Sequence, residues 1–189
     1  MSDVPELLTP RLILRAWRAE DREPFADMNA DPLVRRYFPT RLSRAESDAL
    51  IDWHEASFAQ HGFGCWAVDV REPAAFIGFL GLSIPSFEAH FTPCVEIGWR
   101  LAAPYWNQGY ATEGARAVLA FGFEQLNLAE IVSFTAAINM PSRRVMEKLG
   151  MTHDPADDFD HPKIPEPHPL RPHVLYRVCR RRPTLQSAS

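Results

Sequence analysis

The stretch YWNQGYATEGARAVLAFGF, residues 105–123, sets polar Asn107 and Gln108 and then Gly109 where a strand hands over to an amphipathic helix. The first N–H groups of a helix lack intrahelical partners, and its dipole leaves that end partly positive. Gln108, Gly109, Tyr110, Ala111 and Thr112 therefore offer a row of donors to an anion such as a phosphate. Asn107 tolerates the left-handed backbone that a tight turn there demands. The same residues also suit a plain strand-to-helix turn with glycine present for geometry alone. Neither a Walker-type P-loop nor a GxGxxG turn is written in the chain.

Glu96 sits one apolar step from Ile97 in the otherwise hydrophobic segment CVEIGWRL. A carboxylate in such a place can serve as a general base, directly or through a water chain, or it can stand on a solvent face beside Val95 and Ile97. Glu113 falls in the first turn of the helix, where the dipole favours a carboxylate for structural reasons. His153, His161, His168 and His173 accompany Asp157, Asp158 and Asp160 near a proline-rich loop. Their spacing matches no zinc or iron pattern, so no metal is expected.

The elements that must hold these residues read as follows. RLILRAW, after a turn at Thr9-Pro10, is a first strand, and residues 18–31 form a helix that Asp31-Pro32 ends. A second helix starts at Ser43, with Glu46 completing a capping box, and runs toward Gly62. GCWAVDVRE, AAFIGFLGLSI and CVEIGWRL form an antiparallel meander whose middle strand is apolar enough to be buried on both faces. The helix after Gly109 carries an apolar stripe at Ala111, Ala115, Val118, Leu119 and Gly122. EIVSFTAA is the next strand, and NMPSRRVMEKLGM the next helix, with Pro141 and Ser142 in its first turn and Gly150 as its stop. Six prolines make 154–172 a loop that cannot carry a regular ladder, and HVLYRVC resumes a strand. Trp17, Phe38, Trp53 and Trp66 are expected in the core rather than in a substrate cage. The fold class is α+β, a twisted mostly antiparallel mixed sheet with helices on both faces, in a single domain spanning 1–189 with a flexible tail at 181–189.

Composition narrows the function. The 189 residues are 46% hydrophobic and 23% charged with a net charge of −4, and a pI near 6.0 argues against nucleic acid as a partner. Cys65, Cys94 and Cys179 form no CxxC pair, which points to a reducing, cytoplasmic setting without disulfides. No apolar segment is long enough to span a membrane.

CVEIGWRLAAPYWNQGYATEG followed by AAINMPSRRVMEKLGM resembles the GNAT superfamily of acetyl-CoA-dependent N-acetyltransferases, most closely its ribosomal-protein, RimJ/RimL-like branch. LLTPRLILRAW is similar to the family's first strand. The resemblance implies that the amides from Gln108 to Thr112, beyond Asn107, grip the pyrophosphate of acetyl-CoA. It also implies that the strand from Glu96 through Trp99 to Leu101 lies along the pantetheine, and that Asn139 and Ser142 approach the pantetheine and thioester sulfur. Trp106 stands where the family's phosphate motif usually has Arg or Gln. Met146 stands where many members have a tyrosine that protonates the leaving thiolate; a thioether has no proton to give, and Ser142 is the substitute donor.

The implied reaction is direct attack of a primary amine on the thioester, with Glu96 and Ser142 as the catalytic pair. No Cys or Ser with a paired His suggests an acetyl-enzyme. The alternative is a catalytically silent acyl-CoA-binding or sensing module. At pH 7, deprotonating an α-amine of pKa ~7.8 costs about 1 kcal/mol, and a lysine of pKa ~10.4 about 4.6 kcal/mol, so a protein N-terminus is the easier acceptor. Small amines remain open, as do monomer and homodimer. Tyr176 and the 154–172 loop are expected to border the acceptor.

Overall fold

A computed structural model describes residues 4–180, and the tail expected at 181–189 lies outside the described residues. Among the described residues there are nine strands: β1 (Leu7–Leu8), β2 (Leu12–Arg15), β3 (Cys65–Val70), β4 (Ala75–Ser83), β5 (Glu96–Leu101), β6 (Glu130–Ala136), β7 (Thr152–His153), β8 (Phe159–Asp160) and β9 (Pro172–Cys179). The helices are α1 (Arg22–Ala30), α2 (Arg44–His61), α3 (Tyr110–Glu124) and α4 (Met140–Lys148). The strands form one sheet in the order β1-β2-β3-β4-β5-β6-β9-β7, with β8 also on β9. β5 and β6 are parallel; the other pairs are antiparallel. The α+β class and the meander β3-β4-β5 follow the expectation.

Strand alternation builds two cores, one on each face. Trp66, Val68 and Val70 of β3 join Leu12, Leu14 and the α3 stripe of Ala115, Val118 and Leu119, whereas Cys65 and Ala67 point the other way, to Phe25 and Met28 of α1 and Ile51 of α2. β4 lies between them, and Ile77 through Leu82 are all buried. The α2 start is a capping box, Ser43 N–H donating to Glu46 Oε2 at 2.7 Å and Glu46 N–H to Ser43 Oγ at 3.3 Å. Gly62 closes that helix in the left-handed conformation.

Three expectations need correction. Helix α1 is preceded by a separate 3-10 turn, Ala19–Asp21, because buried Asp21 is held by the Arg15 guanidinium fork at 2.7 and 2.8 Å and by the Arg18 N–H. The proline-rich loop does carry a rung: Phe159 and Asp160 pair with His173 and Pro172. Phe159 earns that place by joining an aromatic cluster with Phe91 at 4.9 Å and Phe134 at 5.6 Å. Of the four aromatics expected in the core, Trp17 and Trp66 are buried, whereas Phe38 and Trp53 are exposed.

Candidate active site

The loop before α3 is built from two left-handed residues, Asn107 at φ 59° and Gly109 at φ 84°. Asn107 makes the turn its side chain permits, and Gly109 is the N-cap of α3. The first helical N–H to bond back is that of Glu113, to Gly109 O at 2.9 Å. The N–H groups of Tyr110, Ala111 and Thr112 are thus the donors a helix start leaves without intrahelical partners. Trp106 anchors the loop, its indole N–H donating to Leu101 O at 2.7 Å. Gln108 turns its amide back to Pro104 O at 2.9 Å, so it presents its backbone rather than its side chain.

Sequence reasoning missed the residue that braces this loop. Arg11, from the β1-β2 turn, donates to Glu113 Oε2 at 2.7 Å and to Gln108 O at 3.0 Å, and its cation lies 4.5 Å from the Tyr110 ring centre. Glu113 also accepts from the Thr9 hydroxyl at 2.7 Å and the Arg11 N–H at 2.9 Å. Burial is the largest single effect on its carboxyl and pushes it up, but these donors and the Arg11 charge together outweigh it and hold it below the usual range, in keeping with a structural role for Glu113. An open groove of about 670 Å³ runs past Gly109, Thr112 and Arg11 to Arg116 and Lys148. Three cations and a helix start therefore share one depression.

Beyond this groove the sheet parts. β5 and β6 are in register only at Glu96 and Val132, and the Ser133 hydroxyl, rather than a ladder N–H, donates to Ile97 O at 2.9 Å. Divergence leaves the edge of β5 past Ile97 facing a gap. At the far side of the gap Asn139 caps α4: its Oδ1 accepts from the Ser142 N–H at 3.4 Å, and its amide donates to Thr135 Oγ1 at 2.8 Å. Ser142 lies half-buried in the first turn. Met146 is 1% exposed in the α3-side core, where it takes no part in proton transfer. Leu101 points into the same core, and half-buried Trp99 packs against it.

Period-two alternation puts Glu96, Gly98 and Arg100 on the β5 face opposite Ile97 and Leu101. A side chain at Gly98 would meet nothing within 4 Å, so the strand floor there is open. Glu96 is half-buried, with Ser83 Oγ 3.5 Å from Oε2. Desolvation pushes its carboxyl up to about 8, opposed only weakly by that hydroxyl. Glu96 in turn raises buried Cys65, whose thiol is held protonated mainly by its own burial.

Tyr176 does not border this face. It is buried on the α4 side, its hydroxyl between Arg143 Nε at 3.4 Å and Glu147 Oε1 at 3.3 Å. On the Glu96 side the 154–172 loop instead contributes Phe159 and His161, packed with Phe87, Phe134 and His173. His161 is lowered to about 4 by burial and by neighbouring His173 and Lys163. Among the described residues no three His, Cys, Asp or Glu side chains converge as a metal site, and no helix is long and apolar enough to cross a membrane.

Residues 11–152 match the model of the acetyltransferase (GNAT) domain. The chain is 36% identical over 156 residues to the FsC-acetyl coenzyme A-N(2)-transacetylase of Aspergillus fumigatus, covering 79% of this chain and 66% of that protein. It is 30% identical to the uncharacterized N-acetyltransferase YnaD of Bacillus subtilis, covering 78% of this chain and 83% of the relative. Among solved structures, an acetyltransferase from Agrobacterium tumefaciens superposes with a TM-score of 0.76 at 27% identity, over 95% of this chain and 97% of the other. RimJ of Mycobacterium smegmatis, solved with a CoA disulfide, shares the fold at a TM-score of 0.71 and 18% identity, over 93% and 86%. Matching the family's model from residue 11 to residue 152, the chain belongs to the GNAT family of acetyltransferases, which take their acetyl group from acetyl-CoA.

Proposed function

We propose that this chain transfers the acetyl group of acetyl-CoA to a primary amine by direct attack, with Glu96 as the base. The observation that carries the reading is the half-buried Glu96 carboxyl, held near pKa 8 on the face where β5 lies open at Gly98. An ordinary glutamate would take a proton from an α-amine of pKa ~7.8 at a cost of about 4.5 kcal/mol; at about 8 that cost vanishes, and for a lysine near ~10.4 about 3 kcal/mol remains. The tuning favours an α-amine or another amine of modest basicity.

The residues present fit the co-substrate. The α3 amides from Tyr110 to Thr112 would hold its diphosphate, with Arg11, Arg116 and Lys148 alongside, and the edge of β5 through Trp99 would meet the pantetheine. Asn139 would position the first turn of α4. Acetyl-CoA supplies an activated acyl carbon. Glu96 receives the proton the acceptor nitrogen must lose, directly or through water, and the Ser142 hydroxyl, reached from α4, gives the proton that a thiolate needs. The acceptor is a protein N-terminus, as in the RimJ/RimL-like branch, or a small amine.

Thiol release over a panel of amines tests the reading. Turnover that falls at least a hundredfold in Glu96→Gln and more modestly in Ser142→Ala is the expected result. Core-buried Met146 favours a second reading, a silent acyl-CoA-binding module; tight acetyl-CoA binding with no turnover on any amine would establish it instead.

A further inference from the structure

Seven of the sixteen arginines among the described residues have a carboxylate partner. Buried Arg15 holds Asp21 and Asp69, Arg22 reaches Asp48 and Asp52, and Arg177 pairs with Glu130 and Asp157. Three buried or half-buried guanidinia have no carboxylate: Arg143, which turns to the Tyr176 hydroxyl and Ala137 O, and Arg35 and Arg100. Arg35 is 7% exposed and gives Nε and Nη2 to a carbonyl, Thr40 O, at 2.9 and 2.7 Å. Arg100 donates from Nη1 to Asn29 Oδ1 at 2.7 Å, and its Nε is buried without a partner.

The two cations flank one exposed aromatic: Arg35 lies 4.2 Å and Arg100 4.4 Å from the Phe38 ring centre, and Arg100 also rests 5.0 Å from Phe79. Burial lowers both, Arg35 to about 10 and Arg100 to about 9, the latter also through repulsion by Arg35. Glu46 favours the Arg35 charge from a distance, but holding two desolvated cations together with no carboxylate in direct contact is costly. Aromatic faces recover part of that cost. Arg100 makes its one side-chain hydrogen bond from Nη1 and its Nε is enclosed, which leaves Nη2 as the donor for an arriving anion.

Its place on the sheet says where that anion belongs. Arg100 shares a β5 face with Glu96, about 13 Å away along the strand, and the only residue between them on that face is Gly98, with open space above it. A molecule lying over Gly98 would meet a base at one end and a guanidinium at the other.

We propose that Arg100, steadied by Asn29 and Phe38 and reinforced by Arg35, binds a carboxylate on the acceptor, so that the preferred substrate is an amine that also carries an acidic group. This inference rests on the reading of Glu96 as the group that meets the amine. The carboxylate can be the C-terminus of an amino acid or short peptide, or an acidic side chain near a protein N-terminus.

Three peptides separate these sources: Ala-Ala-Ala as the free acid, Ala-Ala-Ala-amide, and Ala-Glu-Ala-amide. The wild-type chain should acetylate at least one acidic peptide with kcat/KM about tenfold or more above the neutral amide, chiefly through KM. Preference for the free acid identifies a small acceptor, and preference for the glutamate peptide identifies an acidic N-terminus. Arg100→Gln should bring the acidic-to-neutral ratio to within about twofold, and Arg100→Lys should restore part of it. Equal rates for all three on wild-type protein overturn the inference while leaving acetyl transfer intact. If no amine is acetylated, the reading of Glu96 fails. Calorimetric binding of the acid and amide peptides to the acetyl-CoA-loaded chain then still decides the Arg100 site, since equal affinities refute it.

Discussion

Replacing Glu96 by glutamine should move stability and activity in opposite directions. In an unfolded chain a glutamate titrates at 4.5, whereas burial carries Glu96 to about 8 in the folded state. At about 1.4 kcal/mol per pH unit, keeping it charged in the folded chain costs at most about 5 kcal/mol. The folded state binds this proton more tightly than the unfolded state does. The wild-type chain therefore loses stability as pH rises from about 4.5 to about 8 and levels off above. Glutamine has nothing to ionise, so the variant should match the wild type near pH 5 and exceed it by a few kcal/mol at pH 9. Urea melts followed by tryptophan fluorescence at each pH read the difference directly. Over the same range wild-type kcat/KM should climb toward pH 8, and the variant should lose that limb along with most of its rate. A stability difference that stays constant from pH 5 to 9 would refute the idea that this carboxylate is desolvated.

Gly109→Ala forces a Cβ onto a residue at φ 84°, 3.4 Å from the Arg11 guanidinium, and should cost about 1 to 2 kcal/mol of stability and weaken acetyl-CoA binding severalfold by calorimetry. Glu113→Gln removes the charge that gathers Thr9 and Arg11 onto α3; a lowered melting temperature together with weaker acetyl-CoA binding is expected. Both ring nitrogens of buried His54 lack partners, and burial lowers its pKa to about 3, Arg100 adding to the effect. Stability should therefore fall as pH drops below about 6.5, and His54→Phe, placed among Trp17, Trp53 and Phe79, should remove that fall and add about 1 to 3 kcal/mol in urea melts at pH 7.

Elements with a strong local signal were legible in the sequence. Ser43 and Glu46 announce the start of α2 and Gly62 its end, Gly150 stops α4, and the alternation of β3 fixes its two faces. The turn at Asn107 and Gly109 could be read because the residue types dictate the backbone. What local pattern cannot show is a partner far along the chain. Arg11 reaches Gln108 and Glu113 across roughly a hundred residues, and nothing near Arg11 announces it. Tyr176 was assigned to the wrong face because its orientation depends on register, and the pairing of Ser133 with Tyr176 turns it toward α4. Arg100 was within reach, since it stands four residues from Glu96 on one strand face, and alternation alone places the two together.

The lone rung between β5 and β6 leaves the molecule with a seam that its own backbone does not sew shut. Amide hydrogens along Trp99 and its neighbours should exchange with solvent deuterium quickly in the free protein and slow sharply once a pantetheine arm bridges the two halves. The enzyme would then be mechanically whole only while loaded, and release of the spent thiol would be the moment at which it loosens.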